Sequence, residues 1–424
     1  MSDQQAVQTN GIYHGLPVHP SSAKGLTAII TGANGVSGNY MLRVLAQDPE
    51  RWTNIYCLSR RPPAIPDGLP KNAKHIALDF LDDPEVLAKA LKENNVKADY
   101  VFFYSYVQVK PKGGSGLWSD AEEMCRVNVA LLQNFLSALP LASIAPKRIM
   151  LQTGAKNYGV HLGPTAIPQE EIAPRVTLEP NFYYPQEDLL WSFCKTHNID
   201  WNICMPSSIL GAVPDAAMNL VFPLGVYASV QKHLGEKLEF PSDLRAWEVN
   251  HCMSSSKLNA YMEEWAVLNN DAKNEKFNTM DGTTFTWGNF WPKYASWYGM
   301  KYEHPSMDEN VYTTITSKHD PPPRGFGPPA TYHVKFRLVD WAREDKVQKA
   351  WQELTQRHGL MGGNLQDMDV ERIFGFTDGS LIGPALDLTM NKARKMGWHG
   401  FVDSNDAIRE VLGEFADLKL LPPM

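Results

Sequence analysis

The sequence has no basic excess, no metal-ligand spacing and no apolar run long enough to span a membrane. Its 40 Lys and Arg are outnumbered by 47 Asp and Glu, for a formal net charge of -7 at pH 7. That leaves no positive field for a phosphate backbone, and no zinc-knuckle or RNP-like pattern offsets it, so nucleic acid is not an expected partner. The 12 histidines show no His-Glu-x-x-His spacing, and no metal is expected. Cysteine is scarce. The five present, Cys57, Cys125, Cys194, Cys204 and Cys252, are odd in number and far apart, and they read as buried thiols of a reducing compartment. The most apolar stretch, around 220–230, is interrupted by Pro223 and falls short of the roughly 20 residues that cross a bilayer. Residues 1–24 are polar, carry Asp3 and have no apolar h-region, so neither export nor membrane attachment is expected and the cytoplasm is the expected location.

What is present is enough apolar material, 43% of 424 residues, for one large core or two coupled ones. From Leu26 onward, short β-branched or apolar runs alternate with helical periodicity, the pattern of βαβ units on a parallel sheet. Strands are predicted at 26–31, 54–58, 75–79, 100–104, 148–153, 201–205 and 276–279, with helices at 39–46, 84–91, 121–139 and 187–196 between them. After Thr286 the strand rhythm stops. Helices at 338–358 and 405–418 then predict a smaller, mainly helical cap over 286–424, following a polar tail at 1–24 and a dinucleotide-binding unit at 25–285. Residues of about 207–245 are expected to contribute to the substrate pocket. The one biased segment, DPPPRGFGPP at 320–329, suits neither helix nor strand, because proline fixes φ and lacks a donor. It reads as a connecting loop or as part of a lid.

The first predicted strand runs directly into Thr31-Gly32-Ala33-Asn34-Gly35-Val36-Ser37-Gly38 and then a helix. Glycines spaced by three let the backbone turn and approach a pyrophosphate, whose charge sits against the free N–H groups at the helix start. With its strand–turn–helix context the loop predicts an α/β, Rossmann-type doubly wound parallel sheet of the extended short-chain dehydrogenase kind, with Thr31, Gly32, Asn34, Gly35, Val36, Ser37 and Gly38 at the cofactor. The second strand ends in Ser59-Arg60-Arg61, where an NAD site has an acidic residue. A hydroxyl and two guanidiniums suit a 2′-phosphate, so NADPH/NADP+ is the expected cofactor. Asp79 is expected to accept from the adenine amine.

Short-chain dehydrogenases pair a Tyr with a Lys four residues on. Only Tyr106 and Lys110 have that spacing, in a strand-following YVQVK closed by Pro111, where i and i+4 do not share a helical face. Two other segments are better candidates. LQTGAKNY places Lys156 beyond the carboxyl end of a parallel strand, where open α/β sheets bind ligands. NFYYPQEDLL puts Tyr183 and Tyr184 at a helix start marked by Pro185, Glu187 and Asp188. Asn128 is a candidate to hold active-site backbone or water. Trp287, Phe290, Trp291, Tyr294, Trp297 and Tyr298 recur at helical spacing and read as a buried helix face, the alternative being a pocket wall.

At this point the sequence resembles the progesterone 5β-reductase and iridoid synthase group of atypical short-chain dehydrogenases. The resemblance is carried by the glycine loop, Ser59-Arg60-Arg61, LQTGAKNY, NFYYPQEDLL, Pro206-Ser207-Ser208-Ile209-Leu210-Gly211, Phe240-Pro241 with Trp247-Glu248, and the MNKARKMGWHGFVDS tail. It implies that Tyr183 and Lys156 are the catalytic pair and that Pro206, Ser208 and Ile209 also meet the cofactor. It implies NADPH-dependent 1,4-reduction of an enone or enal, a small apolar carbonyl-containing substrate, with a homodimer compatible. The chain departs from the family at Asn157, where histidine is usual, at the extra residues 159–162, at Thr165 and at Met205. The first and third changes are expected near the pocket. Carbonyl reduction, a non-redox isomerase or cyclase, and an NADPH-sensing regulatory protein are the alternative functions.

Overall fold

A computed structural model of the protein describes residues 6–110, 118–215 and 218–424; Asp3 and Pro111 lie outside them. Residues read as tail begin with an antiparallel pair instead, β1 (Val7–Asn10) and β2 (Tyr13–Pro17). Tyr13 and Leu16 from it are buried in the main core, an alternation that the polar average of the segment conceals.

Then come β3 (Leu26–Thr31), α1 (Val36–Leu45), β4 (Trp52–Ser59), β5 (Ala73–Ala77), α2 (Pro84–Glu93), β6 (Tyr100–Phe103), α3 (Ala121–Leu141), β7 (Arg148–Gln152), α4 (Tyr183–His197) and β8 (Asp200–Pro206). After β9 (Ser208–Leu210), α5 (Val221–Leu234), α6 (Leu244–Glu248), β10 (Met253–Ser255) and α7 (Ser256–Leu268), strand β11 (Glu275–Thr279) completes a seven-stranded sheet. Its order is β11-β8-β7-β6-β3-β4-β5, and every pairing in it is parallel. All seven predicted strands are its members, although β5, at the edge, lies two residues earlier than expected.

Side chains alternate across the strands, as the pleat requires. Ala28, Ile30 and Phe102 enter one apolar cluster with Met41 of α1 and Trp265 of α7. Ile29, Val101 and Phe103 enter the other, with Leu132, Phe135 and Leu139 of α3. Helices therefore cover both faces, and a crevice opens between β3 and β6, where the strand order reverses. Such a switch point is where open α/β sheets bind ligands.

The C-terminal part adds α8 (Trp287–Trp297), the hairpin β12 (Thr313–Thr316) and β13 (Thr331–Val334), α9 (Leu338–Trp341), α10 (Asp345–His358), α11 (Val370–Ile382), α12 (Asn391–Lys395) and α13 (Ser404–Asp417). The expected helix at 338–358 is thus two helices, and 320–329 is the connection inside a hairpin. Among the described residues, one apolar cluster joins side chains on both sides of residue 285. Trp287, Phe290, Trp291 and Tyr294 belong to the same cluster as Leu224, Phe240 and Trp247, and Tyr294 Oη donates to the Leu224 carbonyl. The aromatic row is therefore mainly a buried helix face, as its spacing suggests, and Trp287 at its start also lines a cavity. Among the described residues, no helix is long and apolar enough to cross a membrane, and no three His, Cys, Asp or Glu gather as a metal site.

Candidate active site

A cavity of about 990 Å³ lies over the carboxyl ends of β3, β4, β6, β7 and β8 and is lined on its other side by the C-terminal part. One end is framed by the glycine loop. Gly32 turns at φ +62°, the left-handed region, and a Cβ there would stand 3.0–3.1 Å from the Tyr104–Ser105 backbone. Gly38 permits the close packing of loop on helix, since a Cβ would stand 2.5 Å from the Gly32 carbonyl oxygen. No side chain caps α1, which starts after Gly35, so the N–H groups of its first turn face the cavity at the positive end of the helix, a cradle that fits a pyrophosphate. Gln152 Nε2 donates to Ser37 Oγ at 2.9 Å and ties β7 to the loop.

Asn34, Val36, Ser59, Arg60, Arg61, Asp79, Pro206, Ser208 and Ile209 all line this cavity. Thr31 does not. It is fully buried, and its Oγ1 accepts from the Tyr104 and Ser105 amides at 3.0 and 3.3 Å, so it shapes the crevice floor rather than meeting a ligand. Arg60 and Arg61 are mostly exposed, as befits groups waiting for an anion. Arg60 Nη1 stands 3.9 Å from Asp79 Oδ2, and Arg61 Nη2 lies 3.0 Å from Asp215 Oδ2. The other oxygen of Asp215 accepts from Arg372 Nη2 at 2.7 Å. Burial opposes ionisation of Asp215, but the two guanidiniums prevail and hold its carboxyl below the usual range.

The opposite end is aromatic and half-buried. Lys156 sits in a tight turn, Ala155–Tyr158, that follows β7 and Gly154. Asn181 braces it, its Nδ2 donating to the Lys156 carbonyl at 3.1 Å while its Oδ1 accepts from the Tyr183 amide at 3.2 Å. One side chain thus links the turn to the start of α4. Lys156 Nζ lies 4.8 Å from the Trp118 ring centre and 5.5 Å from that of Phe182, and burial pushes its ammonium down to about 8. Tyr183 faces the same space: a Cβ on Gly154 would stand 3.2 Å from its hydroxyl. Burial drives the Tyr183 pKa up, so this phenol is neutral and a hydrogen-bond donor, not a phenolate. Tyr184 is structural. Its Oη donates to the Asn157 carbonyl at 2.7 Å and accepts from the Val176 amide at 2.8 Å.

Tyr106 and Lys110 follow β6 in chain that is neither helix nor strand and share no helical face, yet Tyr106 does reach the cavity. Its hydroxyl accepts from Trp118 Nε1 at 3.2 Å and donates to Gln108. Asn128 holds this segment, its Oδ1 accepting from the Val107 amide at 2.9 Å and its Nδ2 donating to the Val107 carbonyl at 3.0 Å. The changes expected near the pocket are not the ones that line it. Asn157 is buried behind the turn, and Thr165 accepts from Gln169 at 2.7 Å away from the cavity. The extra residues supply the wall instead, through Val160, His161 and Leu162. His161 packs edge-on against Trp118 with ring centres 5.9 Å apart, and burial, reinforced by Lys156 and His319, pushes it down to about 3, so it is neutral.

Sequence reasoning missed Trp118, His161, Glu179, Asp215, His319 and Arg372. Only His161 carried a signal, as part of the extra segment. Glu179 Oε1 accepts from His319 Nε2 at 3.1 Å and from Lys318 Nζ at 2.7 Å, tying the residues that enter the 320–329 connection to the chain just before Tyr183.

Residues 28–319 match the family model described as a PRISE-like Rossmann-fold domain. Over nearly its whole length the chain is similar to three relatives. It is 30% identical to short chain dehydrogenase gsfE of Penicillium aethiopicum, over 93% of this chain and 99% of that one. It is 28% identical to the 3-oxo-Delta(4,5)-steroid 5-beta-reductase of Arabidopsis thaliana, over 95% of each, and 26% identical to the (S)-8-oxocitronellyl enol synthase of Catharanthus roseus, over 93% and 92%. Among solved structures, Bordetella bronchiseptica WbmG in complex with NAD superposes with a TM-score of 0.57 at 14% identity, covering 96% of this chain and 99% of that one, a likeness of fold alone.

Proposed function

The chain belongs to the PRISE-like Rossmann-fold family, and on that premise we propose that it is an NADPH-dependent reductase of activated C=C bonds, acting on enones or enals. The observation that carries the reading is the neutral Tyr183 hydroxyl beside Gly154, on the wall of a cavity that Lys156 also lines. NADPH, when bound, supplies the hydride.

The glycine loop and the first turn of α1 hold the pyrophosphate, Arg60 and Arg61 the 2′-phosphate, and Pro206, Ser208 and Ile209 line the rest of the dinucleotide. Tyr183 donates to the substrate carbonyl oxygen as negative charge gathers there in forming the enolate. A preorganised donor at that atom is typically worth about 3–4 kcal/mol. Because burial keeps the phenol protonated, Tyr183 suits this role better than that of a general base. Lys156 holds the ribose and places positive charge beside the reacting region. Burial is the cause of the upward shift at Tyr183, with no lowering by Lys156 beside it. Trp118, Phe182, Trp287 and Phe376 give the substrate side an apolar wall, which suits a small apolar carbonyl compound. The three relatives are named for a dehydrogenase, a steroid 5β-reductase and an enol synthase, which supports reductive chemistry without choosing the substrate.

The test is to incubate the protein with NADPH and a panel of cyclic enones and linear enals, following absorbance and analysing products. Saturated carbonyl products are expected. Alcohol products would make it a carbonyl reductase, and absence of NADPH oxidation across the panel would overturn the proposal.

A further inference from the structure

The carboxylate of Asp215 lies between two guanidiniums on the cavity lining. It leaves β9, reaches the cavity mouth and takes one guanidinium on each oxygen, Arg61 at 3.0 Å from the end of β4 and Arg372 at 2.7 Å from the first turn of α11. All three side chains line the cavity. The neighbouring cations of the C-terminal part are engaged elsewhere: Arg337 and Arg343 lie 3.1 and 3.3 Å from the two oxygens of Glu371. Arg372 is thus the cation that α11 turns toward the dinucleotide end.

Resting on the NADPH reading above, we propose that Arg372 is a third ligand of the cofactor 2′-phosphate, and that Asp215 is the positioning residue that holds Arg61 and Arg372 and is displaced by that phosphate. A 2′-phosphate carries about two negative charges and three acceptor oxygens, against one charge and two oxygens for Asp215, so it outcompetes the carboxylate for both guanidiniums. A cofactor without it has nothing to exchange and leaves the Arg61–Asp215–Arg372 bridge intact. The helix that would gain the contact also lines the substrate side, where Phe376 of α11 meets Trp118 with ring centres 6.4 Å apart and Trp118 in turn lies against Lys156. The phosphate contact therefore acts on an element of the pocket wall, and discrimination between the two cofactors does not rest on Arg60 and Arg61 alone.

Calorimetric titration of the full chain with NADPH and with NADH tests this without any substrate. Arg372→Met is expected to weaken NADPH about tenfold, the loss of one charge-assisted contact, and to leave NADH within about twofold, with Arg372→Lys restoring part of the loss. Asp215→Asn is expected to tighten NADPH about threefold, leave NADH unchanged and make NADPH binding steeper in salt. Equal weakening of both cofactors in Arg372→Met, or no change in either, overturns the inference while leaving the reductase reading in place. Weaker NADPH binding in Asp215→Asn overturns displacement, since the carboxylate would then be needed in the bound state. Failure of the unsubstituted protein to bind NADPH overturns both this inference and the proposed function.

Discussion

The two ends of the cavity are built on opposite physical plans. At the dinucleotide end, Arg60 and Arg61 stand in solvent and Asp215 is half-exposed, so charge acts there through water and is screened by salt. At the tyrosine end, Lys156, His161 and Tyr183 are half-buried among Trp118 and Phe182, and loss of hydration sets each protonation state: the ammonium down to about 8, the imidazole down to about 3, the phenol upward. One end can select a ligand by net charge. The other can hold a neutral donor against developing negative charge, which exposed groups do poorly.

If that contrast holds, a change at the buried end should alter rate and spare binding. Tyr183→Phe is expected to lower turnover of a cyclic enone by about 10²–10³, with NADPH affinity unchanged by titration; a reactive enal, needing less help at oxygen, should lose less. Arg60→Ala with Arg61→Ala should do the reverse, weakening NADPH about 10–100-fold while NADH binding and turnover at saturating cofactor stay close to normal. Equal loss for both cofactors would erase the contrast.

Lys156 sharpens it through pH. Burial disfavours its ammonium in the folded protein, yet that form still predominates at pH 7 and is lost as pH rises through about 8. Turnover should therefore fall on the alkaline side of about 8, and Lys156→Met should flatten that limb at a cost of about tenfold in rate. The same lowered pKa means that the unfolded chain binds the extra proton between about 8 and the ordinary lysine range, so this residue's destabilising effect is full below about 8 and fades above it. Lys156→Met should raise the melting temperature at pH 7 more than at pH 10, unless the lost contact with Trp118 dominates, which the two melts would reveal. The smallest effect is expected for Tyr106→Phe, about twofold to threefold in turnover, because its hydroxyl is already shared between Trp118 and Gln108. Collapse of this variant together with a healthy Tyr183→Phe would place the reacting carbonyl against Tyr106.

The same division explains what could be read in the sequence. The dinucleotide end is assembled from contiguous chain: a strand, a glycine loop and a helix in residues 26–45, then Ser59-Arg60-Arg61 at the next strand end. Local rules of turn and charge reach those two segments, although the Thr31 hydroxyl turns to backbone 73 positions away, and they do not reach Asp215 or Arg372. The tyrosine end depends on contacts across long separations, such as Trp118 on Phe376 and Asn181 on Lys156, for which no periodicity exists. Lys156 and Tyr183 were legible through family resemblance rather than spacing, while His161, Asp215 and Arg372 acquire meaning only when folding brings their segments together. The hairpin of β12 and β13 escaped for a related reason: its strands are only four residues each and largely exposed, so burial imprints little alternation on them.

Gly154 suggests how such a chain would change over evolutionary time. Its φ of 168° is extended backbone open to any residue, so nothing in the main chain demands glycine. The demand comes from the space in front of it, where one added methyl would stand 3.2 Å from the Tyr183 hydroxyl and 3.3 Å from the Pro206 carbonyl oxygen. The phenol would have to yield by a few tenths of an ångström, while no atom of the glycine loop, Arg60 or Arg61 is among the nearest neighbours of the added methyl. A descendant carrying alanine there is expected to keep its grip on NADPH and lose much of its turnover, as paired binding and rate measurements on Gly154→Ala would reveal. A single codon change would then separate an enzyme from a nucleotide-responsive binding protein of the same fold.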